Sequence, residues 1–187
     1  MKITSAQRPF LGEKICGDVF VVLSSGPITT IAVADGLGHG PMAAEAAKAF
    51  CEFVSSCETA PLVDIIRDGH KKIRRTRGAV GALLRIDESL HQMEFAGVGN
   101  IGLHAISKAL IRPVSSPGII GKQIRNKIIE FRYPLAEDDL LVMFSDGVSA
   151  RFDPKQYSRL DLEDMPYAIM KDYGKQHDDV TCVVIRY

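Results

Sequence analysis

The sequence predicts an α+β fold in which antiparallel sheets are covered by helices. Short β-rich apolar runs recur from end to end without the strand–helix–strand rhythm of a parallel sheet. Good helix formers cluster in only three stretches, two early and one late. At 187 residues the chain has the length of one domain, spanning 1–187, and is long enough to bury a real core.

Residues 2–8 read as a first strand. Residues 15–23 are β-rich, Gly26-Pro27 is a turn signal, and residues 28–34 form the returning strand of a hairpin. A helix is predicted from Pro41 to about Val54, because Pro suits a first helical turn and Met42, Ala43, Ala44, Glu45, Ala46 and Ala47 follow. A second runs over residues 61–76, with Leu62, Ile65, Ile66 and Ile73 as an incomplete apolar stripe. Strands at 79–86, 91–98, 102–106 and 109–114 then form a meander, and 115–118 a loop. Residues 128–133 and 140–144 are further strands. Residues 162–173 are helical with Gly174 as the stop, and 180–185 form the last strand.

Several of these strands end on an acid. Ile31-Ala32-Val33-Ala34 runs into Asp35-Gly36-Leu37-Gly38-His39-Gly40, whose glycines leave room around the carboxylate. The run 140–145 ends on Asp146-Gly147, Asp178-Asp179 opens the last strand, and Gly17-Asp18 opens an early one. Singly, Asp-Gly is a common turn dipeptide. Together, four strand-end acids would repel each other if their ends met without a cation. Mg²⁺ and Mn²⁺ prefer such oxygen ligands.

Composition sets outer bounds. Lys+Arg and Asp+Glu number 23 each, so the formal net charge is +0 and no global field favours nucleic acid or an anionic membrane. The first eight residues hold no apolar signal core, and no apolar run approaches the ~20 residues of a membrane span. A cytoplasmic protein is expected. Cys16, Cys51, Cys57 and Cys182 match neither a zinc pattern nor a Cys-x-x-Cys pair, which favours reduced structural roles.

In order along nearly the whole chain, Gly17-Asp18, Ala34-Asp35-Gly36-Leu37-Gly38-His39-Gly40, Ser145-Asp146-Gly147 and Asp178-Asp179-Val180-Thr181 resemble the motifs of the metal-dependent protein phosphatases of type 2C, the PPM family. Within it the likeness is to the short SpoIIE/RsbX-like bacterial branch. The resemblance implies a four-layer α-β-β-α sandwich, two antiparallel sheets between helix pairs, with two Mn²⁺ or Mg²⁺ at one end. It implies that Asp35 bridges the metals, that the Gly36 carbonyl and Asp18 serve one, and that Asp146 and Asp178 complete the other. Asp178 is favoured over Asp179 as the direct ligand, with Asp179 fixing its neighbour. The implied reaction is attack on phosphoserine or phosphothreonine by a hydroxide held between the metals.

The chain also departs from the wider family. Leu37 stands where many relatives carry a histidine, and His39 follows two residues later. His39 is a candidate substrate-contacting residue, with helix capping or loop packing as the alternative. Lys14 lies near the place of a phosphate-gripping arginine, with a solvated lysine as the alternative. Asn100 replaces an aspartate that helps a third metal, so a third site is expected to be weak or absent. Lys71-Lys72-Ile73-Arg74-Arg75-Thr76-Arg77 reads as a solvated helix end or a docking patch.

A monomer is expected, and the likeness implies that its partner is a phosphorylated STAS-domain protein of a stressosome or partner-switching module. The remaining alternatives are a phosphatase of another partner-switching protein, a weakly catalytic phosphoprotein-binding module, and a hydrolase of small phosphate esters.

Overall fold

Gly26, at φ 58°, turns the chain between two strands whose residues pair from Ser25↔Ile28 to Asp18↔Asp35. The hairpin therefore delivers two acids to one end. The computed structural model describes residues 1–57 and 59–187. Strands β1 (Lys2–Arg8), β2 (Asp18–Ser25) and β3 (Ile28–Gly36) come first, then helices α1 (Pro41–Ser55) and α2 (Leu62–Lys72). Strands β4 (Ala79–Asp87), β5 (Gln92–Val98) and β6 (Gly102–Ile106) follow, with a short hairpin of β7 (Gly118–Ile119) and β8 (Gln123–Ile124). Next are β9 (Glu130–Pro134), β10 (Leu140–Phe144), a 3₁₀ turn (Pro154–Tyr157), α3 (Met165–Tyr173) and β11 (Val180–Arg186).

Two antiparallel sheets result, in the orders β1-β11-β10-β6 and β2-β3-β4-β5-β9. Side-chain alternation along each strand sorts residues into layers. Ile31, Val33, Leu84, Ile86 and Phe95 of the larger sheet meet Leu141, Met143, Val183 and Ile185 of the smaller. On the opposite face, Ala32, Ala34 and Leu83 pack under α1 and α2 through Ala46, Ala47, Phe50, Ile65 and Ile66. Val142, Phe144, Cys182 and Val184 pack under α3 through Met165 and Ile169. The inner strands are thus buried on both faces, which is why they read as continuous apolar runs.

The layer order is helix, sheet, sheet, helix. One outer layer holds the α1–α2 pair, whereas the other holds α3 and the 3₁₀ turn instead of a second pair. No helix among the described residues is long and apolar enough to cross a membrane.

Four local expectations are corrected. Residues 109–114 form no strand. Ile111 and Pro113 are buried while Leu110, Arg112 and Val114 are exposed, so the alternation is present. No ladder accompanies it, because Pro113 has no N–H and β6 has crossed to pair with β10. The meander therefore ends at β5. The second strand begins at Asp18, leaving Ile15 exposed in a loop. Helix α2 stops at Lys72, where Ile73 leaves helical geometry but stays in the core. Gly174 does follow α3, but at φ −73° it needs no left-handed conformation. Its value is space, since a methyl group there would collide with the Met170 carbonyl.

Leu84→Ala opens a cavity between the sheets and is expected to cost about 2–5 kcal/mol. Leu110→Ala, at a side chain 73% exposed, is expected to stay within about 0.5 kcal/mol of the parent. Denaturant midpoints at constant slope measure both. Equal losses would contradict the assigned layers.

Candidate metal centre

Strand parity places the acids. Asp18 and Asp35 face each other across β2 and β3, and both share the face of Phe20, Ile31 and Val33 that turns toward the other sheet. Ser145, just past β10, and Thr181 and Asp179 on and before β11 continue the inward face of Met143 and Val183. Both sheets therefore aim polar groups into the same end of the sandwich. Ser145 Oγ donates to Asp18 Oδ2 at 2.6 Å and accepts from Thr181 N–H at 3.0 Å. Gln7 Nε2 donates to the Asp18 carbonyl at 2.9 Å and to Thr181 Oγ1 at 3.0 Å.

Asp35, Asp146 and Asp178 line a cleft of about 360 Å³ with Phe10, Leu37, Gly38, His39, Val80 and Asn100. Asp18 is 2% exposed and instead borders a separate hollow of about 520 Å³ beside Cys16. Asp179 is also buried. Its Oδ1 accepts from Phe10 N–H at 2.9 Å, and it packs against Gly17, where a methyl group would lie 2.6 Å from Oδ2. Within the final pair, Asp178 is thus the residue in the cleft and Asp179 the one behind it. Oδ1 of Asp18 and Oδ2 of Asp179 are buried without a hydrogen-bond partner. Such orphaned acceptors are costly in a dry site and suit a cation.

Repulsion among these groups is visible in their acidity. Burial first, then the charges of Asp18, Asp146, Asp178 and Asp179, push Asp35 up to about 8. Burial pushes Asp18 up to about 7 against the hydrogen bonds from Ser145 and Thr181, with Asp179 and Asp146 adding to the rise. Asp146 is raised by burial and by Asp178, while Lys175 and hydrogen bonds from Asp35 and Asn100 oppose the rise. Among the described residues no three acidic, histidine or cysteine side chains already form a closed cage around one point. Mg²⁺ needs none, because it keeps several waters and is held by one or two carboxylates.

The glycine loop fits the same site. A methyl group on Gly36 would overlap the Ala43 carbonyl in the first turn of α1, so this approach requires glycine. Gly36 N–H donates to the Gly17 carbonyl at 3.2 Å, tying the loop to the residue before Asp18. His39 stacks on Phe10 at 4.5 Å between ring centroids, and its Nδ1 lies 2.8 Å from Glu13 Oε1. His39 belongs to the cleft wall, while Lys14 is exposed in the loop before β2 and outside the cleft lining. Asn100 Nδ2 donates to Asp146 Oδ2 at 2.8 Å. Burial pushes the Cys16 thiol up to about 12, which leaves it no thiolate for nucleophilic work.

The family described as stage II sporulation protein E, SpoIIE, matches residues 26–187. The chain belongs to the SpoIIE family. It is 28% identical over 141 residues, 74% of this chain and 70% of the relative, to the phosphoserine phosphatase RsbX of Bacillus subtilis (strain 168). A structure from work on the bacterial stressosome, as a modular system adapted to control secondary messenger signalling, superposes with TM-score 0.94 at 34% identity. It covers 98% of both chains. RsbX in complex with magnesium superposes with TM-score 0.86 at 23% identity, covering 97% of this chain and 92% of that one. Solved type 2C phosphatase domains share the fold.

Sequence reasoning on this SpoIIE-family chain missed Phe10, Glu13, Ser145, Thr181 and Lys175. Ser145 and Thr181 both stood inside motifs that carry acids, so their hydroxyls were the available signals. Lys175 Nζ lies 3.3 Å from Asp178 Oδ2, three residues away. Nothing in Arg8-Pro9-Phe10 announces a stacking partner for His39.

The raised carboxyls set the sign of a pH effect. An unfolded Asp releases its proton near pH 3.9, whereas folded Asp18 and Asp35 hold theirs to about 7 and 8. The metal-free fold therefore binds more protons than the unfolded chain across this window and loses stability as pH rises through it. In chelator, Tm is expected to fall from pH 5 to pH 9. Mg²⁺ is expected to restore it increasingly toward the alkaline end. A chelated Tm that rises over that range would contradict this electrostatic picture.

Proposed function

We propose that the chain is a Mg²⁺- or Mn²⁺-dependent phosphoserine/phosphothreonine protein phosphatase acting on a phosphorylated STAS-domain protein of a stressosome or partner-switching assembly. The observation that carries this reading is the convergence of Asp18, Asp35, Asp146 and Asp178 from two sheets, with orphaned carboxylate oxygens among the buried acids. Asp35, Asp18, the Gly36 carbonyl, Asp146 and Asp178 would hold two cations, with Asp35 serving both, Asp18 and Gly36 serving one, and Asp146 and Asp178 the other. When bound, such a pair lowers the pKa of water and neutralises charge on phosphoryl oxygens.

This chain's own residues hold the arrangement. Ser145 fixes Asp18, Asn100 fixes Asp146, and Asp179 occupies the space behind Asp178. The Asn100 amide is committed to Asp146, so no third cation is expected there. His39, held by Phe10 and Glu13, is the side chain positioned to contact the substrate. Residues 1–187 act as one catalytic domain, a cytoplasmic monomer with no nucleic-acid or membrane partner.

A protein substrate is favoured over a small ester. A groove of about 790 Å³ beside β7 and β8, lined by Ile119, Ile124, Arg125 and Lys127, offers docking surface beyond the acids. The likeness to RsbX and to the stressosome structure supports a STAS-domain partner.

Asp35→Asn is expected to abolish turnover more completely than Asp18→Asn, Asp146→Asn, Asp178→Asn or Asp179→Asn, because a bridging ligand touches both cations. Rates on an aryl phosphate and calorimetric Mn²⁺ binding measure the series. Near-normal activity in Asp35→Asn would sink the two-metal reading. Chelator is expected to silence the enzyme and Mn²⁺ or Mg²⁺ to revive it, whereas revival by Zn²⁺ with Mn²⁺ inert would count against the hard-ligand site. Efficient turnover of another phosphoprotein with none of a phospho-STAS protein would overturn the partner assignment.

A further inference from the structure

The basic run that spans the end of α2 does not act as one patch. Ile73 at its centre is buried, Lys71 is spent on Asp68 at 2.7 Å, and Arg77 lies against Gly38. A methyl group built on Gly38 would lie 3.0 Å from Arg77 Nη1, so the guanidinium rests on the bare backbone of a residue that lines the acidic cleft. The contact is built from both sides. Gly78, next to Arg77, accepts from Leu37 N–H at 3.0 Å, and Ala79 pairs with Gly36. Thr76 Oγ1 donates to the Ile73 carbonyl at 2.8 Å and accepts from Gly78 N–H at 3.1 Å, fixing the turn that carries Arg77. Gly38 at φ 91° and Gly78 at φ 90° are both glycine conformations. Arg77 is exposed, and among the described residues it forms no ion pair.

We infer that Arg77 grips the phosphoryl group of the substrate at the rim of the cleft, the role the sequence offered to Lys14. The inference rests on the phosphatase reading. A guanidinium presents paired N–H groups that match two phosphoryl oxygens, and one held without a carboxylate partner keeps those donors for an incoming anion. Gly38 is the seat, because a side chain there would crowd the guanidinium and make it shift. Arg77 rests at Gly38 on the loop that carries His39, while the Glu13 carboxylate contacts Gly40 of that loop and lies beside His39 Nδ1.

The test uses Arg77→Ala and Arg77→Lys in the full chain with Mn²⁺. Kinetics are read on an aryl phosphate and a phosphoserine peptide, and inorganic phosphate binding is read by calorimetry. In Arg77→Ala, KM for both substrates and the Kd for phosphate are expected to rise about tenfold or more, the worth of a charged hydrogen bond. Mn²⁺ affinity is expected to stay unchanged. Arg77→Lys is expected to recover part of the loss, as a point charge without the fork. Unchanged phosphate Kd and aryl-phosphate KM would overturn the inference, and a defect confined to the peptide would make Arg77 a docking residue instead. If the parent hydrolyses neither ester, the phosphatase reading fails. Phosphate binding then still decides Arg77, with loss in Arg77→Ala supporting the grip and equal or absent binding in both proteins overturning it.

Discussion

Carboxylates of one sign are crowded into the end of a sandwich where burial makes their repulsion costly, and much of the local architecture answers that problem. The inward parity of β2, β3, β10 and β11 brings the acids together whether or not charge favours it. The hydroxyl of Ser145 and the amide of Asn100 each relieve one acid, yet Asp18 and Asp35 still hold protons far above the usual carboxylate range. The strength of the hydrophobic layers is what keeps such a site closed, since the folded state has to absorb a local penalty.

Much of this was legible in the sequence because the central strands are buried on both faces. Such strands read as unbroken apolar runs, and an acid at the end of an unbroken run stands out. That signal singled out Asp18, Asp35, Asp146 and Asp178, whose strand ends meet at one end of the sandwich, while the Gly26-Pro27 turn signal gave the hairpin and helix propensity gave α1. It misled at residues 109–114, where alternation without a ladder partner looks the same as a strand. Alternation reports burial, and hydrogen bonding is a separate condition that Pro113 and the departure of β6 remove. The second outer layer is thinner than the helix pair the family resemblance implies, holding the one late helix that the residues predict and a 3₁₀ turn. The 3₁₀ turn at Pro154–Tyr157 packs Tyr157 into the core without the length that makes a helical period readable.

Apart from Lys175, the residues around the acids that stayed hidden act across long stretches of chain. Ser145 meets Asp18 across 127 positions, and the Arg77–Gly38 contact joins segments separated by a whole helical layer. No local spacing encodes such pairs. The glycines were readable as room for a ligand, but part of that room belongs to the protein. Gly36 admits the first turn of α1, Gly17 admits Asp179, and Gly38 admits Arg77.

The two halves of the acidic site hang from different sheets. Asp18 and Asp35 ride on the larger one, Asp146 and Asp178 on the smaller, and the packed side chains between them set the gauge of the gap. Leu84, Phe95, Met143 and Val183 are in this sense spacers for a site they never touch. A sheet-to-sheet slide would move one pair of acids relative to the other while leaving every strand intact. Selection on catalysis would then reach into the middle of the hydrophobic core, where volume changes too small to unfold the protein can still detune it.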